Sequence, residues 1–90
     1  MNKKTSWKDK YLLSISETLS LKDIEKLCDV GSSKASDIRK QALDYCILND
    51  IPIYTRYVPT EAVLAVINHD IEYYYNRMRL ENRAMLVEVV

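Results

Sequence analysis

The chain of 90 residues contains one glycine, two prolines, one histidine, one tryptophan and no phenylalanine. A many-stranded sandwich or barrel needs a turn signal about every 8–12 residues, so this scarcity points away from β folds and toward helices. Net charge is also lacking: 13 basic residues face 13 acidic ones. That balance gives no general pull toward polyanions, and any nucleic-acid contact must be local. The longest apolar run, Ala62 to Ile67, is six residues, against about 20 for a membrane span. Trp7 to Ile15 is too polar for a signal-peptide core, so the expected location is cytoplasmic, with no membrane partner. Cys28 and Cys46 stand at neither disulfide-framework nor zinc spacing and read as free, buried thiols. His69 has no nucleophile near it in sequence, and no phosphate loop, His-x-x-x-His or nucleophile elbow is present. A non-enzymatic chain without cofactor or metal is expected.

What is present is a 48% hydrophobic composition, enough for the core of one small domain. Charge is locally uneven. Residues 1–10 carry a net +3, read as a basic tail; residues 17–29 carry −2 and residues 34–40 carry +2. Arg77, Arg79 and Arg83 form a second cationic patch against Glu81.

Ser6-Trp7-Lys8-Asp9 has the form of a helix start, followed by Trp7, Tyr11 and Ile15 at four-residue spacing. A short helix to about Glu17 is expected, with a strand over Tyr11–Ile15 as the alternative. Ser20-Leu21-Lys22-Asp23 repeats the cap signal, and Leu21, Ile24, Leu27 and Cys28 make one stripe of a helix over about 21–28. Asp29-Val30-Gly31-Ser32-Ser33 breaks it. Asp tolerates the left-handed backbone of a tight helix–helix turn, and Gly31 or Ser32 can cap the next helix. That third helix runs from Ser33 to about Leu48, with Ala35, Ile38, Ala42 and Cys46 inward and Ser33, Ser36, Asp37, Lys40 and Asp44 outward.

Asn49-Asp50 and Pro52 end it. Ile51 to Val58 reads as extended, with Thr55-Arg56 as a short turn between strands. Thr60 caps a last helix that keeps its period to near Leu86, with Val63, Ile67, Ile71, Tyr74, Met78 and Met85 within about 80° on the wheel. Unbroken, it would be roughly 40 Å long and would leave Ile71, Tyr74, Met78 and Met85 as an interface for a second copy or a partner protein. The alternative is a break near Asn68-His69, with the last part folding back onto the core.

Two short helices joined by a tight turn, the second opening on small polar residues, form a helix-turn-helix pattern whose second helix suits a major groove. Leu21 to Leu43, followed by Ile51-Pro-Ile-Tyr-Thr-Arg-Tyr-Val-Pro-Thr-Glu-Ala-Val-Leu, resembles the winged helix-turn-helix of phage and transposon excisionases, related to MerR-type domains. Gly31-Ser-Ser-Lys-Ala-Ser-Asp-Ile resembles the start of their recognition helix, and the strand-turn-strand before Thr60 their wing. The resemblance implies a mainly α fold with a small β-hairpin wing over residues 11–68, followed by a helical extension over 69–90. It implies a protein of a bacterial mobile genetic element that acts in excision, recombination or their control. Ser32, Ser33, Lys34, Ser36 and Lys40 would meet duplex DNA, with Arg39 and Arg56 adding phosphate contacts from flank and wing. Asp37 can accept from a cytosine amine, whereas Asp44 on the same face repels phosphate. The alternative function is an accessory subunit of the element's replication machinery. It would bind single strands through stacking on Tyr54 and Tyr57, or bind a protein through the last helix.

Overall fold

A computed structural model describes residues 5–53 and 56–89, with side chains described as far as residue 83. The fold is mainly helical with one small sheet. In chain order it comprises α1 (Trp7–Ser14), β1 (Thr18–Leu19), α2 (Leu21–Cys28), α3 (Ser32–Leu48), β2 (Val58–Pro59), α4 (Thr60–Ile67) and α5 (Ile71–Val89). Among the described residues no helix is long and apolar enough to cross a membrane.

Local signals explain most of these limits. Ser6 caps α1 by accepting from the Asp9 amide at 3.2 Å. A full capping box opens α2: Ser20 Oγ accepts from the Asp23 amide at 3.1 Å, and Asp23 Oδ2 accepts from the Ser20 amide at 3.0 Å. Three helices end on non-glycine residues in the left-handed region, Asp29 (φ 52°), Asp50 (φ 55°) and Asn68 (φ 58°). After each, the next amide returns to a carbonyl five residues back: Val30 to Glu25 at 3.1 Å, Ile51 to Cys46 at 2.9 Å, His69 to Leu64 at 3.0 Å. Asp and Asn adopt that backbone more readily than other non-glycine residues.

The core joins Leu19, Ile24, Leu27, Ala35, Ile38, Ala42, Cys46, Val58, Ala62, Val63, Leu64 and Tyr74. Fully burying one of its larger aliphatic side chains contributes about 1.5–3 kcal/mol. The inward set expected for α3 is the set found buried. α2 and α4 pack on α3, and α1 packs on α5 and more lightly on α2.

Four expectations are corrected. Ile51–Ile53 form no strand: Ile51 is used in the α3 cap and Pro52 offers no ladder donor. The short strand Val58–Pro59 pairs instead with Thr18–Leu19, antiparallel, bringing the buried pair Leu19 and Val58 together. Residues 54–55, where part of the hairpin was expected, lie outside the described residues. Thr60 does not cap α4; Pro59 takes that position, and Thr60 is the first helical residue. Its buried Oγ1 has no hydrogen-bond partner among the described residues.

The last helix is broken. Asn68 turns the chain, Asp70 Oδ1 accepts from the Tyr73 amide at 2.8 Å to start α5, and α5 folds back against α1. Tyr74 is therefore a core residue, 1% exposed, rather than an interface residue. Its hydroxyl lies 2.9 Å from His69 Nδ1. Ile71 remains exposed, Met78 is half-buried, and the Met85 side chain lies outside those described. Of the basic N-terminal segment, Trp7 to Lys10 belong to α1, as the cap signal at Ser6 implies; Lys3 and Lys4 lie outside the described residues.

Tyr74→Ala should cost about 3–5 kcal/mol, the range for emptying a buried aromatic site, whereas Tyr74→Phe should cost about 1 kcal/mol for the lost hydrogen bond. Urea midpoints at constant m-value check both. Equal, small losses would place Tyr74 outside the core.

Candidate nucleic-acid interface

The turn between α2 and α3 positions this surface. Asp29 supplies the left-handed residue, Val30 is half-buried, and Gly31 is extended (φ −78°, ψ 177°) at the start of α3. The Asp29 carboxylate points back to the N-terminal segment. Its Oδ1 accepts from the Thr5 amide at 3.0 Å and its Oδ2 from Lys10 Nζ at 2.6 Å. Lys10 is only 7% exposed and its ammonium also lies 4.5 Å from the Trp7 ring centroid. Partial burial opposes ionisation of Asp29, but the Lys10 ammonium and the Thr5 amide outweigh it and hold the carboxyl below its usual range. Burial pushes the thiols of Cys28 and Cys46 up, and both are free.

No side chain caps α3, and its first turn holds no acidic residue. Gly31, Ser32, Ser33 and Lys34 are all exposed. The first-turn amides, which have no intrahelical acceptor, thus open on solvent with the positive end of the helix dipole behind them. Such an end is suited to an anion such as phosphate. Ser36 and Lys40 are exposed one and two turns on, as expected. Ser33, Asp37, Lys40 and Asp44 fall on the line opposite the buried face, so charges of both signs alternate along it.

Arg39 makes a contact that its position did not announce. It is half-buried, and its Nη2 donates to the Arg56 carbonyl at 3.1 Å. It fastens the segment before β2 to the flank of α3 instead of facing solvent. Arg56 stays exposed, its guanidinium 5.6 Å from the Tyr57 ring centroid. Tyr57 is 42% exposed; Tyr54 lies outside the described residues. Of the run Tyr73-Tyr74-Tyr75, Tyr73 stacks on His69 at 4.1 Å, Tyr74 is in the core, and Tyr75 leans on Tyr11 at 5.6 Å. His69 is thus held by two tyrosines at the α4–α5 elbow.

Two contacts that position the surface have no local signature. Lys10 and Asp29 are 19 residues apart, and Glu81 reaches across from α5 to accept from the Trp7 and Lys8 amides at 3.2 and 3.4 Å. The one available signal is Glu81 itself, a carboxylate that interrupts an apolar stripe and needs a partner there.

No protein family, curated protein or solved structure matches the chain.

Asp29→Asn keeps a residue that accepts the left-handed turn but leaves the Lys10 ammonium unpaired. It should cost roughly 1–2 kcal/mol near neutral pH, between the values of exposed and buried pairs. A depressed folded-state pKa gives stability that is full above the unfolded value near 4 and is lost as pH falls through the folded one. The gap between wild type and Asp29→Asn should therefore narrow in acid. Chemical denaturation at about pH 7 and pH 2.5 measures it, and a pH-independent gap would refute the ion-pair account.

Proposed function

We propose that this chain is a non-enzymatic DNA-binding protein that uses α2 and α3 as a helix-turn-helix, with the segment before β2 as a reduced wing. The observation that carries the reading is the exposed, uncapped start of α3, with Ser32, Ser33 and Lys34 on its first turn. Its amides and hydroxyls suit phosphate oxygens, and Ser36 and Lys40 stand farther along, where a helix entering a major groove meets base edges. Arg56 adds a phosphate contact, and Arg39 acts through it as a positioning residue. The resemblance to excisionases and MerR-type domains supports a role in excision, recombination or their control on a mobile genetic element.

A second reading, an accessory subunit that binds a protein, draws on one observation. Ile47 and Leu48 at the end of α3 are 69% and 82% exposed, beside Asp44. The DNA reading is preferred because the α3 start offers donors without acidic neighbours in its first turn.

Fluorescence anisotropy with matched duplex and single-stranded DNA over several salt concentrations tests the assignment. Lys34→Ala and Lys40→Ala should each flatten the salt dependence on duplex by about one unit of slope. Gly31→Asp separates stability from binding. A Cβ at Gly31 meets nothing within 4 Å, so the carboxylate is free to cap α3 and should stabilise the fold by a few tenths of a kcal/mol. The same carboxylate should weaken duplex binding by occupying the helix start. Unchanged slopes in both lysine variants, or tighter binding by Gly31→Asp, would remove α3 from the interface.

A further inference from the structure

The three arginines of α5 are not used by the reading above. Glu81, four residues after Arg77, is the natural ion-pair partner on that helix, yet both its oxygens are turned to the α1 amides of Trp7 and Lys8. Among the described residues no carboxylate forms an ion pair with Arg77, Arg79 or Arg83. Arg77 lies over Trp7 and Tyr73, 5.8 and 5.2 Å from their ring centroids. Arg79 lies 5.8 Å from the Tyr75 centroid, and Tyr75 rests on Tyr11.

These contacts orient the Arg77 and Arg79 guanidinium groups without neutralising them, so for Arg79 part of the ordering cost of binding is already met. Arg79 and Arg83, four residues apart, share the side of α5 turned away from α1. They line a wide concavity of about 720 Å3 together with Asn76, Leu80 and Asn82. Among the described residues of that lining, every polar one carries hydrogen-bond donors and none is acidic. Glu72 falls on the same side of α5 but two turns before Arg79, in the first turn, where its charge answers the helix dipole.

We propose that the Arg79–Arg83 face of α5 is a second contact surface for the phosphodiester backbone of duplex DNA. Guanidinium and carboxamide groups are the side chains that contact phosphate and sugar oxygens without reading sequence. α5 spans 19 residues, roughly 28 Å, and Arg79 and Arg83 sit one turn apart along it. The proposal rests on the DNA-binding reading but uses a different helix.

The test is anisotropy of a labelled 20-base-pair duplex of arbitrary sequence, titrated across salt with wild type, Arg79→Ala/Arg83→Ala, Arg79→Lys/Arg83→Lys and Lys34→Ala/Lys40→Ala. Both arginines are exposed, so thermal melts of all variants should match wild type. The expected result is a slope about two units flatter for the double alanine variant of α5, and a slope close to wild type for the double lysine variant, which keeps the charges. If only the α3 variant loses slope, the α3 reading stands and this proposal is overturned. Loss in the α5 variant alone supports the proposal and overturns the α3 assignment. A wild type that binds vesicles of phosphatidylglycerol and phosphatidylcholine but not the duplex overturns both.

Discussion

The Lys10–Asp29 pair is the contact on which the arrangement depends. Lys10 places an ammonium where little solvent reaches it, and one carboxylate, with the Trp7 ring, compensates for the lost hydration. That carboxylate belongs to the residue that turns α2 into α3, so one residue takes the left-handed backbone of the turn and, through its side chain, anchors α1 to it. Glu81 then binds the start of α1 from α5. The N-terminal and C-terminal helices are in this way fixed to each other and to the turn that aims α3.

A chain with a single glycine still has to stop and redirect its helices. It does so with Asp29, Asp50 and Asn68, each in the left-handed region and each followed by an amide that closes the helix end. The glycine that exists is used elsewhere, at the start of α3, where its backbone is extended and any residue would fit. Its contribution there is the side chain it lacks. The four orphan amides of α3 are left without a capping oxygen, in contrast to the full box on α2.

Short-range chemistry made much of this legible. The Ser20–Asp23 box, the stripe of Ala35, Ile38, Ala42 and Cys46, and the left-handed role of Asp29 all follow from neighbours within a few positions. The α4–α5 break was harder, because Ile67 and Ile71 are one turn apart and keep phase across it; periodicity alone reads straight through. Only Asn68 and Asp70, a helix stop and a helix start, mark the elbow, and Tyr74 enters the core because of it. The hairpin failed for a related reason. Ile51 looks like a strand residue, but its amide is committed to the Cys46 carbonyl, and the partner of Val58 is 39 positions upstream. Among the candidate site residues, Ser32, Ser33, Lys34, Ser36, Lys40 and Arg56 are exposed, while Arg39 is half-buried and bonded to a carbonyl that no local pattern announces.

On the proposed reading, a helix start left open beside basic residues, in a fold tied together by a part-buried ion pair, is what this small neutral protein would offer to DNA. Backbone amide chemical shifts report on it residue by residue. In a titration of 15N-labelled protein with duplex DNA at low salt, the largest shifts should fall on Ser32, Ser33, Lys34, Lys40 and Arg56, with Ala42, Val63 and Leu64 in the core unmoved. Shifts confined to the exposed end of α3 around Ile47 and Leu48, or no shifts at all, would contradict the account.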